Sequence, residues 1–185
     1  MLSFQQARQL VESGKLERLE RSPECTALYR KHKEGLTEDI VVDVCKKLHW
    51  SLQEITFLNT VKYPEQADKI AAAFSDAALF KITVNEFPYW FEPCVSHLLI
   101  WSKISLPLYC GDSEQINTTL YKKIEEFLRY NLEQRLGISS EDYCFFINTS
   151  RLQSVKGISH IHLLLRSNQQ VAREILSQQL EPLID

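Results

Sequence analysis

Residues 143–166, YCFFINTSRLQSVKGISHIHLLLR, read as a strand, a polar turn and a second strand. Side chains alternate along a strand, so His160 and His162 share one face while Ile161, Leu163 and Leu165 face the other, towards a core. The turn supplies Asn148, Ser150, Arg151, Gln153, Ser154 and Lys156, which offer amide, hydroxyl and cationic donors within a short span. Two readings of these residues stand side by side. In the first, a neutral imidazole attacks a phosphate or acyl centre held by those donors. In the second, His160 and His162 are partly buried strand residues hydrogen-bonded to backbone.

Upstream, Asp112 with Gln115 opens a helix. Ile116, Leu120, Ile124, Phe127, Leu128 and Leu132 line one side of it, and Gly137 ends it. Before that, Val95–Trp101 is a near-continuous apolar run suited to a central strand buried on both faces. Residues 79–84 are β-rich and broken by Asn85-Glu86-Phe87-Pro88-Tyr89. The first third is helical in pattern, with Ser3, Ser22, Thr37 and Ser51 as N-caps. A further helix is expected from Pro64, and a last one over Val171 to Leu180. Helices, then strands, a long helix and a strand pair imply an α+β fold with helices on one side of a mostly antiparallel sheet. The expected division is a helical N-terminal extension, 1–62, and a core, 63–185, with the softest border at Thr60 to Pro64. The aromatic group Phe87, Tyr89, Trp90, Phe91 and Trp101 is read as filling a core corner, or as a stacking wall.

Composition narrows the function. The chain has 185 residues, enough for one substantial core, and a net charge of −3. No global positive field attracts nucleic acid or an anionic membrane, so neither is an expected partner. Its five cysteines form no CxxC pair and suit reduced, buried thiols. Met1 to Gln6 lacks the basic start and apolar run of a signal peptide, and no stretch reaches the ~20 apolar residues of a membrane span. A cytoplasmic location, extending to the nucleus, is the expectation. No cofactor is expected and no metal, because nothing with ligand spacing accompanies the histidines. GxGxxG, Walker A, GxSxG and HExxH are absent.

Several segments in order, LVESGKLERLERSPECTALYRKH, CKKLHW, NEFPYWFEPCVSHLLIWSK and FFINTSRLQSVKGISHIHLLLR, resemble the fungal N-acetylglucosamine-induced protein family, a domain of unknown function. The C-terminal half also resembles the histidine-triad (HIT) fold. Asn85-Glu86-Phe87-Pro88, then His97 to Lys103, the helix, Phe145 to Asn148, and Ile158 to Arg166 resemble its successive motifs. Counted back from Arg166, His160 falls on the nucleophile position and Ile158 replaces the first histidine. Counted from the first histidine, His162 is the nucleophile and Leu164 stands third. Thr149 replaces the usual glycine.

This resemblance implies a HIT-like sheet with one long packed helix, and a cleft for a nucleotide or phosphorylated sugar. It implies phosphohydrolase or nucleotidyl transferase chemistry at His160 and His162. The candidate ligand contacts are His97, Lys103, Asn148, Arg151, Ser154 and Arg166. It also implies a homodimer, triad proteins often being dimers. The alternative is a non-enzymatic regulatory or protein-interaction module of the amino-sugar response, binding a protein partner through an apolar groove over Leu10, Leu28 and Val44.

Overall fold

Alternation along residues 159–166 sets the layers of the molecule. In the computed structural model, which describes residues 1–109, 115–167 and 169–183, four strands form one antiparallel sheet. They are β1 (Phe80–Val84), β2 (Val95–Ser102), β3 (Tyr143–Phe146) and β4 (Ser159–Arg166), in the order β1-β2-β4-β3. β2 and β4 are central, as their apolar runs require. Their register sets Trp101 opposite His160, Leu99 opposite His162 and His97 opposite Leu164. Phe146 of β3 faces His162 from the other side.

One face is dominated by apolar side chains. Ile82, Leu98, Ile100, Phe145, Ile161, Leu163 and Leu165 pack there with Leu120, Ile124, Phe127 and Leu128 of helix α6 (Thr118–Leu128) and Ile175 of α7 (Gln169–Gln178). Phe127 stacks on Phe74 at 4.2 Å and meets Phe80 edge-on at 5.0 Å. The expected start of α6 at Asp112 lies outside the described residues. The helix itself begins at Thr118, where Asn117 Oδ1 accepts from the peptide N–H groups of Thr119 and Leu120 at 3.1 and 3.2 Å. Ile116 is therefore not on the helix; it forms a β-bridge with Tyr109 and is largely exposed. Beyond Leu128 the helix widens into a π turn, Arg129–Arg135, and Gly137 follows with φ 66°, a left-handed closing residue.

The expectation of helices on one side is corrected by the other face. There α1 (Phe4–Glu12) packs Phe4 and Ala7 against Cys144, Phe146 and Leu164. Helices α3 (Ile40–Leu48) and α4 (Leu52–Phe57) pack Val44, Leu48 and Ile55 against Leu99, Trp101 and Ile158. Both faces of β2 and β4 carry large apolar side chains, so a one-sided cover would leave Leu99, Trp101 and Leu164 in water. The class remains α+β, with the sheet between two helical layers.

Ser3, Ser22 and Ser51 cap α1, α2 (Pro23–Gly35) and α4 as expected, while Asp39 rather than Thr37 caps α3. A π turn extends α4 to Lys62, and α5 (Gln66–Ala72) starts two residues beyond Pro64. Cys45 and Cys144 are buried, but Cys94 is exposed, against the expectation for the thiols; Cys110 lies outside the described residues. Among the described residues no helix is long and apolar enough to cross a membrane.

Candidate functional site

Helices α2 and α3 do not close fully on the sheet, and a cavity of about 240 Å³ remains beneath them. Leu99, Trp101, His160 and His162 line its sheet side, with Asn148 from the end of β3. Tyr29, His32, Asp43 and Lys47 line the helix side, and Arg21, Phe87 and Tyr89 stand at its margin.

A buried chain of hydrogen bonds runs through the sheet side. The Tyr89 peptide N–H donates to His97 Nδ1 at 3.2 Å, and His97 Nε2 lies 2.9 Å from His162 Nδ1. His162 Nε2 is 3.2 Å from the Asn148 side-chain amide, which also meets the Tyr89 hydroxyl at 3.0 Å. A peptide N–H can only donate, and this fixes every proton that follows. His97 accepts at Nδ1, so its own proton sits on Nε2 and is given to His162 Nδ1. The His162 proton is then on Nε2 and requires an acceptor. Asn148 meets it with Oδ1 facing His162 and Nδ2 turned away, the amide orientation that the proton sequence selects over its 180° alternative. The Asn148 amide position turned away from His162 is buried without a hydrogen-bond partner. Asn85 Nδ2 lies 3.3–3.4 Å from both His97 ring nitrogens, while its Oδ1 accepts from the Phe87 N–H.

His160 stands apart from this chain. Its Nδ1 is 3.1 Å from the Ile158 carbonyl oxygen. A carbonyl only accepts, so Nδ1 carries the proton and Nε2 keeps a lone pair. No described residue forms a hydrogen bond with that nitrogen, and it is not among the buried, solvent-inaccessible orphans. Its ring lies 4.7 Å from the Trp101 ring and 5.3 Å from that of His162.

Burial keeps these rings neutral. Burial, then the nearby Arg21 and His160, pushes His97 down to about 3. His162 falls well below its ordinary value, from burial and then His97, His160 and Arg21. Burial also lowers His160, against a smaller opposing effect of the Ile158 carbonyl. A neutral imidazole with an open lone pair can act as nucleophile or base. Among the described residues no group of three metal-binding side chains gathers.

Arg21 is the cation best placed to meet an anion. Its Nε donates to the Phe87 carbonyl at 2.9 Å, and its guanidinium lies over Tyr29 at 4.4 Å and Tyr89 at 5.3 Å. Lys47 is engaged by Glu86 at 2.7 Å and Asp43 at 3.3 Å.

The structure brings together His97, His160, His162, Asn148 and Ser154, all in or against the cavity. Three expected ligand contacts lie elsewhere. Lys103 is buried on Glu54 at 2.9 Å, Arg151 is exposed on the turn, and Arg166 is paired with Asp142 at 2.7 Å on the surface. The reason is reach. Arg166 shares the parity of His160 and His162 but lies at the far end of β4, beyond the His97 level. Lys103 falls past the end of β2, where α4 captures it. The apolar groove expected over Leu10, Leu28 and Val44 is not formed either: Val44 is in a core cluster, Leu10 packs on a different one, and Leu28 is exposed. Arg21, Tyr29, His32, Asp43 and Lys47 were invisible as site residues in sequence, because only the docking of α2 and α3 carries them to the sheet. Asn85 and Tyr89 had a signal, the Asn85-to-Tyr89 strand break, which reads as a turn.

Residues 3–166 match the family described as Protein of unknown function (DUF3605). An uncharacterized protein of Saccharomyces cerevisiae is 36% identical over 192 residues, 97% of this chain and 91% of that protein. N-acetylglucosamine-induced protein 1 of Candida albicans is 31% identical over 173 residues, 85% of this chain and 65% of that protein. The chain therefore aligns with just under two thirds of the Candida protein's length. The crystal structure of HTC1 is similar over 100% of both chains, with a TM-score of 0.78 and 34% identity. The segments that resemble the N-acetylglucosamine-induced proteins thus lie in one continuous match, and the chain belongs to the DUF3605 family of proteins of unknown function.

Proposed function

We infer that the cavity binds a small phosphorylated ligand, a nucleotide or a phosphorylated sugar, and that His160 acts on its phosphorus. The observation that carries this reading is the commitment of the His160 Nδ1 proton to the Ile158 carbonyl, which leaves a lone pair on a ring lining the cavity. The resemblance to the HIT fold supports the same assignment, since the count back from Arg166 puts His160 on the nucleophile position. Nε2 attacks phosphorus in line, the leaving group departs from the opposite side, and water or an acceptor then takes the phosphoryl or nucleotidyl unit. The free N–H groups of Arg21 and the Asn148 amide supply hydrogen bonds to phosphate oxygens. His162, with both ring nitrogens already used, orients Asn148 and does not attack.

The test begins with a thermal-shift screen against nucleotides, sugar phosphates and nucleotide sugars. A ligand at 100 times its Kd should add about 2.7 kcal/mol of stability. On any turnover found, His160→Ala should lose roughly 10²–10⁴-fold in rate with the fold retained. A blank screen, or an activity indifferent to His160→Ala, would refute the reading.

A further inference from the structure

Three buried polar positions among the described residues make no hydrogen bond, on Tyr29, Asp43 and Asn148, and all three residues line this one cavity. Buried polar groups without a hydrogen-bond partner are costly in a folded protein, which argues for a polar occupant. The three are not alike. The Asn148 position is the N–H side of its amide, on the sheet side beside His160. Asp43 Oδ2 only accepts, and it belongs to the helix side with the Tyr29 hydroxyl. Lys47 Nζ forms an ion pair with that oxygen at 3.3 Å and the His32 ring lies 3.6 Å from it, neither in hydrogen-bond geometry. A phosphate placed there would meet both Asp43 and Glu86 and be repelled. A ligand hydroxyl would donate to Asp43. The Phe87 ring, edge-on to Tyr29 at 5.1 Å, adds an aromatic surface for the body of a ring. At about 240 Å³ the cavity falls below the ~300–1,000 Å³ usual for drug-sized ligands, which suits one ring with one phosphate better than a dinucleotide.

We propose that Tyr29 and Asp43 form a hydroxyl-recognising subsite for the ring of a singly phosphorylated, hydroxyl-rich ligand, a sugar phosphate or a nucleoside monophosphate. The subsite rests on the reading of the cavity as a phosphate-ligand site. It gives α2 and α3 the role of choosing the ligand, while Arg21, Asn148 and His160 meet its phosphate.

Isothermal titration of the full chain separates the two. The probes are inorganic phosphate, ribose 5-phosphate, glucose 6-phosphate, adenosine monophosphate and its 2′-deoxy form, each against wild type, Tyr29→Phe and Asp43→Asn. At least one ring-bearing probe should bind wild type roughly tenfold or more tighter than inorganic phosphate. Tyr29→Phe, which removes one oxygen and keeps the packing, and Asp43→Asn should each cut that advantage severalfold with phosphate affinity unchanged. The rank of the sugar phosphates against the nucleotides names the source of the ring. Equal affinity for phosphate and every ring probe, or variants that bind ring probes like wild type, would overturn the subsite and leave the His160 reading standing. Failure of every probe, phosphate included, would overturn both.

Discussion

The sheet face under α6 and the face under α2 and α3 are built from the same four strands, one residue alternating with the next. Along β4, Ile161, Leu163 and Leu165 go to the first face, and His160, His162 and Leu164 go to the second. Both are buried beneath helices. Beneath α6 the side chains interdigitate, whereas beneath α2 and α3 a cavity remains, bordered by a hydrogen-bonded network and by unpaired polar atoms. Burial alone therefore does not mark a face as structural core. What separates the two is whether the buried groups satisfy one another.

This contrast can be broken by mutation. Phe127→Ala, which removes a ring between Phe74 and Phe80, should cost about 3–5 kcal/mol in urea denaturation, with no local route to refill the space. A loss under 1 kcal/mol would mean the dry face is not tightly packed. On the other face, His162→Leu keeps volume but strands His97 and Asn148, and about 2 kcal/mol should go. The same variant should weaken phosphate binding, because Asn148 is no longer held.

Acid should reach only the polar face. His97 has a folded pKa of about 3, against ~6.5 in the unfolded chain, so the unfolded state takes up the proton first. The stability held above ~6.5 is lost as pH falls towards the folded value, about 2 kcal/mol between pH 7 and pH 5. Denaturant titrations at both pH values measure it, and equal midpoints would contradict a neutral, buried His97.

Gly157 tests how closely the turn before β4 meets the helix side. A Cβ there would stand 2.7 Å from a Val41 methyl on α3. Gly157→Ala should cost about 1–3 kcal/mol and lower ligand affinity as α3 is pushed away. Unchanged stability would show that α3 yields freely. The smallest effect belongs to Arg166. Its surface pair with Asp142 is worth about 0–1 kcal/mol, and Arg166→Ala should leave binding as it was; a large loss of binding would restore it as a ligand contact.

The residues 143–166 made the strand pair and the common face of His160 and His162 legible, because strand alternation is local. The apolar stripe of α6 was legible for the same reason, although its start was not. The described helix begins at Thr118 under the Asx cap of Asn117, and Ile116 belongs to a bridge with Tyr109. Arg166 and Lys103 followed from the resemblance to the HIT motifs and Arg151 from its place in the polar turn, and neither ground says which neighbour will capture a long cation. Glu54 and Asp142 do so for Lys103 and Arg166.

By itself the sequence determined the α+β class, the strand that carries the paired histidines, and membership of a family whose segments run through most of the chain. These depend on periodicity and on order along the backbone. The tertiary structure alone decided that His97 joins His162, that the Tyr89 peptide fixes the proton on each ring, and that α2 and α3 bring Arg21, Tyr29 and Asp43 to the same cavity. Those contacts join residues far apart in the chain. They exist only because strand register and helix docking close distances that no local pattern encodes.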